Sequence, residues 1–245
     1  GTLTQNKMTI TEVWLKTGRA FTRDGEDGRF ADEIGEIIGY GRLASAEDPF
    51  DPMERALHEL GGQVPQGAPL GDGHTLAQAY GLRPDLLAVT QVWRKPDDFD
   101  DILVATKGAP EAVASLCRLD PDEVAALRTI VDGMAARGER VLGVAKARHS
   151  GAIDPASPRE FSFELLGLVG FADPLRPHVP EAIAQCRSAG IRVAMITGDY
   201  PATAAAMARQ AGIDAESILS GTEIADLDDT ALAEAVRHTS VFARI

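Results

Sequence analysis

The strongest constraint on the fold is a punctuated alternation in the last third of the chain. Residues 163–171 (FELLGLVGF) form a nearly continuous apolar run, and residues 191–196 (IRVAMI) form a second. Helical spacing at 180–189 and 202–211 follows each run, and Gly190 and Gly212 stop those helices. Buried strands alternating with helices predict parallel βαβ units. In an open sheet of that kind, ligands bind beyond the carboxyl ends of the strands. Two segments follow the apolar runs directly: Asp173-Pro174-Leu175-Arg176-Pro177 and Thr197-Gly198-Asp199.

The first two thirds read differently. Residues 3–15 alternate around Met8, Ile10, Val13 and Leu15 and predict a strand, which we pair with the α/β part. Residues 17–28 read as loop, and Phe30, Ile34, Ile37 and Ile38 recur at helical spacing. A helix over 51–60 is announced by Asp51 as cap, Pro52 at the first position and Glu54 at the capping-box position, and Gly61-Gly62 ends it. A short helix is predicted near 75–80, with strands at 86–94, 101–106 and 140–147. The first two strands are joined by a turn at 95–98. Helices begin at Pro110 and near Asp122, and Gly138 ends the second. Residues 148–160 suit a linker. The expected architecture is an α+β middle joined to an α/β segment.

Composition narrows the function. The 245 residues are 44% apolar and 25% charged, which suits a folded chain with a real core and not a disordered one. The net charge of −13 argues against a general binder of nucleic acid or anionic membrane, since a phosphate backbone would be repelled. It leaves room for a local basic pocket. Cys117 and Cys186 have no metal-ligand spacing and read as free thiols of a reducing compartment. No membrane span or signal peptide is expected, and both ends look like cuts through a larger protein.

Several residues have chemistry to offer. Thr197 supplies a hydroxyl donor and the helix start after Asp199 supplies free N–H groups to a phosphate, although a capped helix start alone explains the same three residues. Arg176 carries a planar fork suited to phosphate, between two prolines that make a stiff hinge; an interdomain turn is the plain alternative. Lys107-Gly108 ends a strand, where Gly108 permits close approach of a ligand and Lys107 otherwise reads as a surface lysine. Arg140 is either a phosphate arm or a solvated arginine. Glu54 either closes the cap or accepts the exocyclic amine of adenine.

Read together, GTLTQN (1–6), DPMERAL (51–57), KGAPE (107–111), RVL (140–142), DPLRP (173–177), ITGD (196–199) and FAR (242–244) occur in an order that resembles the cytoplasmic headpiece of P-type cation-transporting ATPases. These belong to the haloacid dehalogenase superfamily. The resemblance covers essentially the whole chain. It implies a partial Rossmann-like phosphorylation domain over 1–17 and 159–245, and an inserted α+β nucleotide-binding domain over 18–158, with an antiparallel sheet flanked by helices. It also implies ATP and Mg²⁺, and an aspartyl-phosphate that drives cation transport. The partners would be the actuator and transmembrane domains of a parent pump, on the cytoplasmic side of a membrane.

By position, the resemblance implies that Glu54 holds the adenine amine and Lys107 lines the pocket mouth, with Gly108 making room for the ring. Arg140 would reach the phosphates. Asp173 and Arg176 would sit at the hinge on ribose and phosphate. Thr197, Gly198 and Asp199 would hold the γ-phosphate, and Thr2 would lie beside the phosphorylation site. The sequence departs from the family in two ways. The family motif reads Asp-Lys-Thr-Gly-Thr-Leu-Thr, and this sequence starts at its glycine. The nucleophile, the later lysine and the Mg²⁺-binding motif are absent, so the fragment is expected to be inactive alone. Leu82 and Leu87 also align with the aromatic that stacks on adenine and with a following lysine, so weak ATP binding is expected. The alternatives are a stand-alone phosphatase of the superfamily and a non-catalytic nucleotide sensor. The transported ion is not encoded in these residues. DPMERAL resembles the pumps for calcium and related small cations more than the soft-metal pumps, which commonly carry a His-Pro pair, so the resemblance implies calcium, with proton, sodium/potassium and magnesium pumps open.

Overall fold

The computed structural model describes residues 2–18, 20–22, 32–62, 73–95, 98–150, 156–199 and 201–245. Phe30, most of the 17–28 loop, residues 96–97 of the 95–98 turn and residues 151–155 of the 148–160 linker lie outside them. The chain divides into two compact units. One comprises Met8–Val131 and Arg140–Ala172, and the other comprises Gly1–Lys7, Asp132–Glu139 and Asp173–Ile245.

The larger unit is built on β1 (Thr9–Leu15), β2 (Ala20–Thr22), β3 (Thr75–Tyr80), β4 (Ala88–Lys95), β5 (Asp98–Gly108), β6 (Arg140–His149) and β7 (Glu164–Ala172). They form one sheet in the order β2-β1-β7-β6-β5-β4-β3, and every neighbouring pair is antiparallel. Helices α1 (Asp32–Leu43) and α2 (Pro52–Gly61) pack with one face of the sheet. Ile37, Ile38 and Leu57 are fully buried there against Val13, Ala105 and Phe171. Each such side chain contributes about 1.5–3 kcal/mol by leaving water. Helix α3 (Pro110–Leu116) packs with β5, β6 and β7. Val113 of α3 rests where Gly143 of β6 lacks a Cβ. Helix α4 (Pro121–Ala136) follows.

The smaller unit contains α5 (Val179–Ser188), β8 (Met195–Thr197), α6 (Pro201–Ala211), β9 (Ile218–Ser220), α7 (Gly221–Ala225), α8 (Asp229–His238) and β10 (Val241–Ala243). Its three strands are parallel, in the order β8-β10-β9. Ala204, Ala208, Met195 and Val241 form its core with Ile183 and Ile213. Gly190 and Gly212 end α5 and α6 with φ of 74° and 79°, a region open to glycine.

Three expectations are corrected. The strand near the start does pair with the 163–171 run, as β1 against β7, but it lies between β2 and β7 in the antiparallel sheet and not in an α/β sheet. The run at 163–171 is likewise not a parallel strand; it is β7, antiparallel to both β1 and β6. Residues 8–17 and 159–172 therefore belong with the antiparallel sheet. Burial on both faces produces a continuous apolar run whatever the strand direction, and β7 is buried at six of its nine positions. Lastly, residues 75–80 are strand β3 and not a helix.

Candidate functional site

The sequence-predicted residues fall into two groups, one in each unit. In the larger unit, α2 starts as its sequence requires. Asp51 is the cap, and its carboxylate accepts from Met53 N at 2.8 Å and Glu54 N at 3.2 Å. Glu54 does not reach back to close a capping box. Its Oε2 accepts from the backbone N–H of Ala46 at 3.3 Å, and its Oε1 accepts from Lys107 Nζ at 2.6 Å. Two motifs far apart in the sequence thus meet.

Lys107 is not a surface lysine. It is 5% exposed, at the end of β5, and shares a face with the core residues Leu103 and Ala105. Its ammonium also donates to the Ala44 carbonyl at 2.7 Å and to Ser45 Oγ at 2.8 Å. Burial lowers the pKa of Lys107 below the usual lysine value, and the hydrogen bond to Glu54 with the charges of Glu54 and Asp51 opposes that shift. One turn along α2, burial and the positive charge of Arg42 lower the pKa of His58 despite Ala46 and Glu54. His58 Nε2 is buried with no hydrogen-bond partner among the described residues, as is Gln91 Oε1 on β4. Sequence reasoning missed Ala44, Ser45, His58 and Gln91. No spacing rule marks the turn after α1 as a set of lysine acceptors.

Gly108 has a reason of its own. A Cβ there would overlap the Leu87 carbonyl and Ala88, so the missing side chain admits the neighbouring strand. Leu82 and Leu87 are 66% and 52% exposed, just before and just after the turn where Arg83 and Leu86 exchange backbone hydrogen bonds. Arg140 is exposed at the start of β6, opposite Phe171.

In the smaller unit, Thr197 closes β8 at its carboxyl end. Its Oγ1 donates to Asp199 Oδ2 at 3.0 Å and accepts from Asp199 N at 3.1 Å. The segment after β10 joins this corner: Arg244 N donates to the Asp199 carbonyl and Ile245 N to that of Thr197. Gly198 lies between them, and a Cβ on it would meet nothing within 4 Å. The first residues run beside the Asp173-Arg176 segment. Lys7 N donates to Asp173 Oδ1 at 3.1 Å, Arg176 N donates to the Leu3 carbonyl at 2.9 Å, and Thr4 bridges Leu175. Thr2 and the Arg176 side chain are exposed. The corner can present a hydroxyl, a carboxylate and open backbone beyond the strand ends, the usual ligand position of such sheets. Among the described residues, no cluster of three or more His, Cys, Asp or Glu could hold a metal ion. No helix among them is long and apolar enough to cross a membrane.

A family model for haloacid dehalogenase-like hydrolases matches residues 1–239. A probable cation-transporting ATPase F of Mycobacterium tuberculosis is 31% identical, over 100% of this chain and 31% of its own length. A probable cation-transporting ATPase I of Mycobacterium leprae is 36% identical over 58% of this chain and 10% of its own length. The human sodium/potassium-transporting ATPase subunit alpha-4 is 25% identical over 92% of this chain and 26% of its own length. The chain thus spans about a third or less of the relatives it matches. With a Thr-Gly-Asp corner at the end of a parallel strand and a family match running from residue 1 to residue 239, the chain belongs to the haloacid dehalogenase-like hydrolases, and the relatives it resembles are P-type cation-transporting ATPases.

Proposed function

We propose that this chain is the ATP-binding headpiece portion of a P-type cation-transporting ATPase. The larger unit binds the nucleotide, and the smaller unit is part of the phosphorylation domain. The observation that carries the nucleotide reading is the meeting of Glu54 and Lys107 at 2.6 Å. It brings two motifs of the resemblance to one point, where a fixed carboxylate suits an exocyclic amine. In the larger unit, Glu54, Lys107, Gly108 and Leu82 would hold the adenine, and Arg140 would serve the phosphates. In the smaller unit, Thr197, Gly198, Asp199, Asp173, Arg176 and Thr2 would serve phosphoryl transfer. Mg²⁺ would accompany the phosphates, with its protein ligands incomplete among these residues. In the full pump the headpiece works on the cytoplasmic side with actuator and transmembrane domains.

The 245 residues contain no aspartate before Asp24, so the acceptor that precedes the Gly-Thr-Leu-Thr motif in the family is not among them. Purified chain is therefore expected to hydrolyse ATP no faster than background. Turnover that follows the protein through purification overturns that expectation. Binding is tested by titrating the isotope-labelled chain with ATP, and with GTP as control. Amide shifts should cluster at Glu54, Lys107, Gly108 and Arg140, with a Kd on the order of 1 mM and ATP preferred. Glu54→Ala and Lys107→Ala should each weaken ATP more than Lys146→Ala, which breaks a comparable ion pair to Glu36 at 2.7 Å. No shifts at several times that concentration, or equal effects of the three substitutions, overturn the site.

A further inference from the structure

We infer that the smaller unit has a ligand site of its own at the amino-terminal ends of its parallel strands, for a dissolved organic anion with a short apolar body, such as a medium-chain carboxylate. The site is independent of the nucleotide reading and lies at the opposite strand ends from the Thr197 corner. A cavity of about 350 Å³ opens there. It is bordered by the three segments that lead into the strands, at 191–193 before β8, 212–214 before β9 and 237–240 before β10. That volume is at the small end of ligand cavities, which run from roughly 300 to 1,000 Å³. The core residues Ile183 and Ile213 line it with Val193, and give it an apolar floor. Ile191 also lines it and is 58% exposed.

Two lining arginines supply the charge. Arg187 donates to the Gly212 carbonyl, and Arg192 donates to the carbonyls of Val236, of Arg237 at 2.6 Å and of Thr239 at 3.2 Å. These bonds hold both guanidinium groups against the ends of α6 and α8, where backbone carbonyls lack helical partners. A guanidinium carries five N–H donors and no acceptor. One is used on Arg187 and three on Arg192, so six N–H of the two forks have no acceptor among the described residues. The nearby carboxylates are engaged. Asp214 Oδ1 accepts from Glu216 N at 2.9 Å. Glu234 pairs with Arg237 at 3.0 Å and with His238 at 3.1 Å, so that cluster adds little charge of either sign. What remains is two fixed planar forks, which suit a carboxylate, over an apolar floor that suits its body. The net charge of −13 repels an anionic membrane face, so the ligand is a dissolved molecule.

The test titrates the isotope-labelled chain with sodium octanoate. Octanol, the same body without the charge, and inorganic phosphate, a charge without the body, serve as controls. Octanoate should shift the amides of Ile183, Ile191, Val193 and Ile213, and bind about tenfold more tightly than either control. Octanol or phosphate binding as tightly as octanoate overturns the inference. So do octanoate shifts confined to other parts of the chain, or no shifts up to its micelle-forming concentration. Arg187→Gln should weaken octanoate about tenfold and leave the Thr197 and Asp199 amides in place. Should that variant fail to fold, the exposed Ile191 decides. Ile191→Asp should weaken octanoate and Ile191→Lys should strengthen it, and effects of the same sign from both overturn the anion assignment. Vesicles of phosphatidylserine in phosphatidylcholine should leave the chain behind on flotation. Flotation of the chain that Ile191→Asp abolishes would make the ligand a lipid, and overturns its assignment as a dissolved molecule.

Discussion

Cys117 shows how one side chain reports its surroundings. Burial pushes its thiol pKa from 9.0 up to about 12, with Lys16 opposing and the carboxylates of Glu164 and Glu123 adding to the shift. Native Cys117 should therefore react with iodoacetamide at pH 8 far more slowly than the same residue in urea, read by mass spectrometry. The folded pKa lies above the unfolded one, so the fold favours the protonated thiol. The stability this gives is present below about pH 9 and lost as pH rises toward about 12, and Cys117→Ala should flatten that part of the alkaline fall. Legibility at this scale was uneven. Glu54 and Lys107 were both singled out in the sequence, each beside a plain alternative, a helix cap for Glu54 and a surface lysine for Lys107. Their mutual bond was not, because the register of β5 against the turn after α1 is a tertiary fact. Gly108 was legible as a place of close approach, but what approaches is the Leu87 carbonyl.

Helix α2 is the element whose sequence said most. Asp51, Pro52 and the two glycines after Leu60 delimit it, and the observed helix runs from Pro52 to Gly61. Asp51→Ala should lower stability by about 1 kcal/mol, seen as a lower urea midpoint with an unchanged slope. The same change should also weaken ATP binding, since the first turn of α2 carries Glu54. Strand β3 was misread because it is an edge strand: its side chains are mostly exposed, so burial writes no alternation into its sequence. Strand β7 was misread for the opposite reason. Its middle is covered on both sides, and a fully covered strand loses the period that reveals its direction. In the smaller unit the glycine stops at 190 and 212 were legible, while β8 shrank from the predicted run to Met195–Thr197.

For the molecule as a whole, the described chain divides into a unit built on the antiparallel sheet and a unit built on the parallel strands. The unit containing the antiparallel sheet begins at Met8 and ends at Ala172, and holds both tryptophans, Trp14 and Trp93. A chain trimmed to residues 8–172 should keep a cooperative unfolding transition by tryptophan fluorescence and the ATP-induced shifts. Loss of either would mean that the sheet needs residues outside this span. The pairing of β1 with β7 has a larger consequence. Thr9 stands opposite Ala172, and just outside them Lys7 N–H bonds Asp173. The first and last residues of the 8–172 span are therefore neighbours in space. A module whose ends meet makes few demands on its host: it can be spliced into a surface turn, circularly permuted or exchanged for another without pulling the host chain apart.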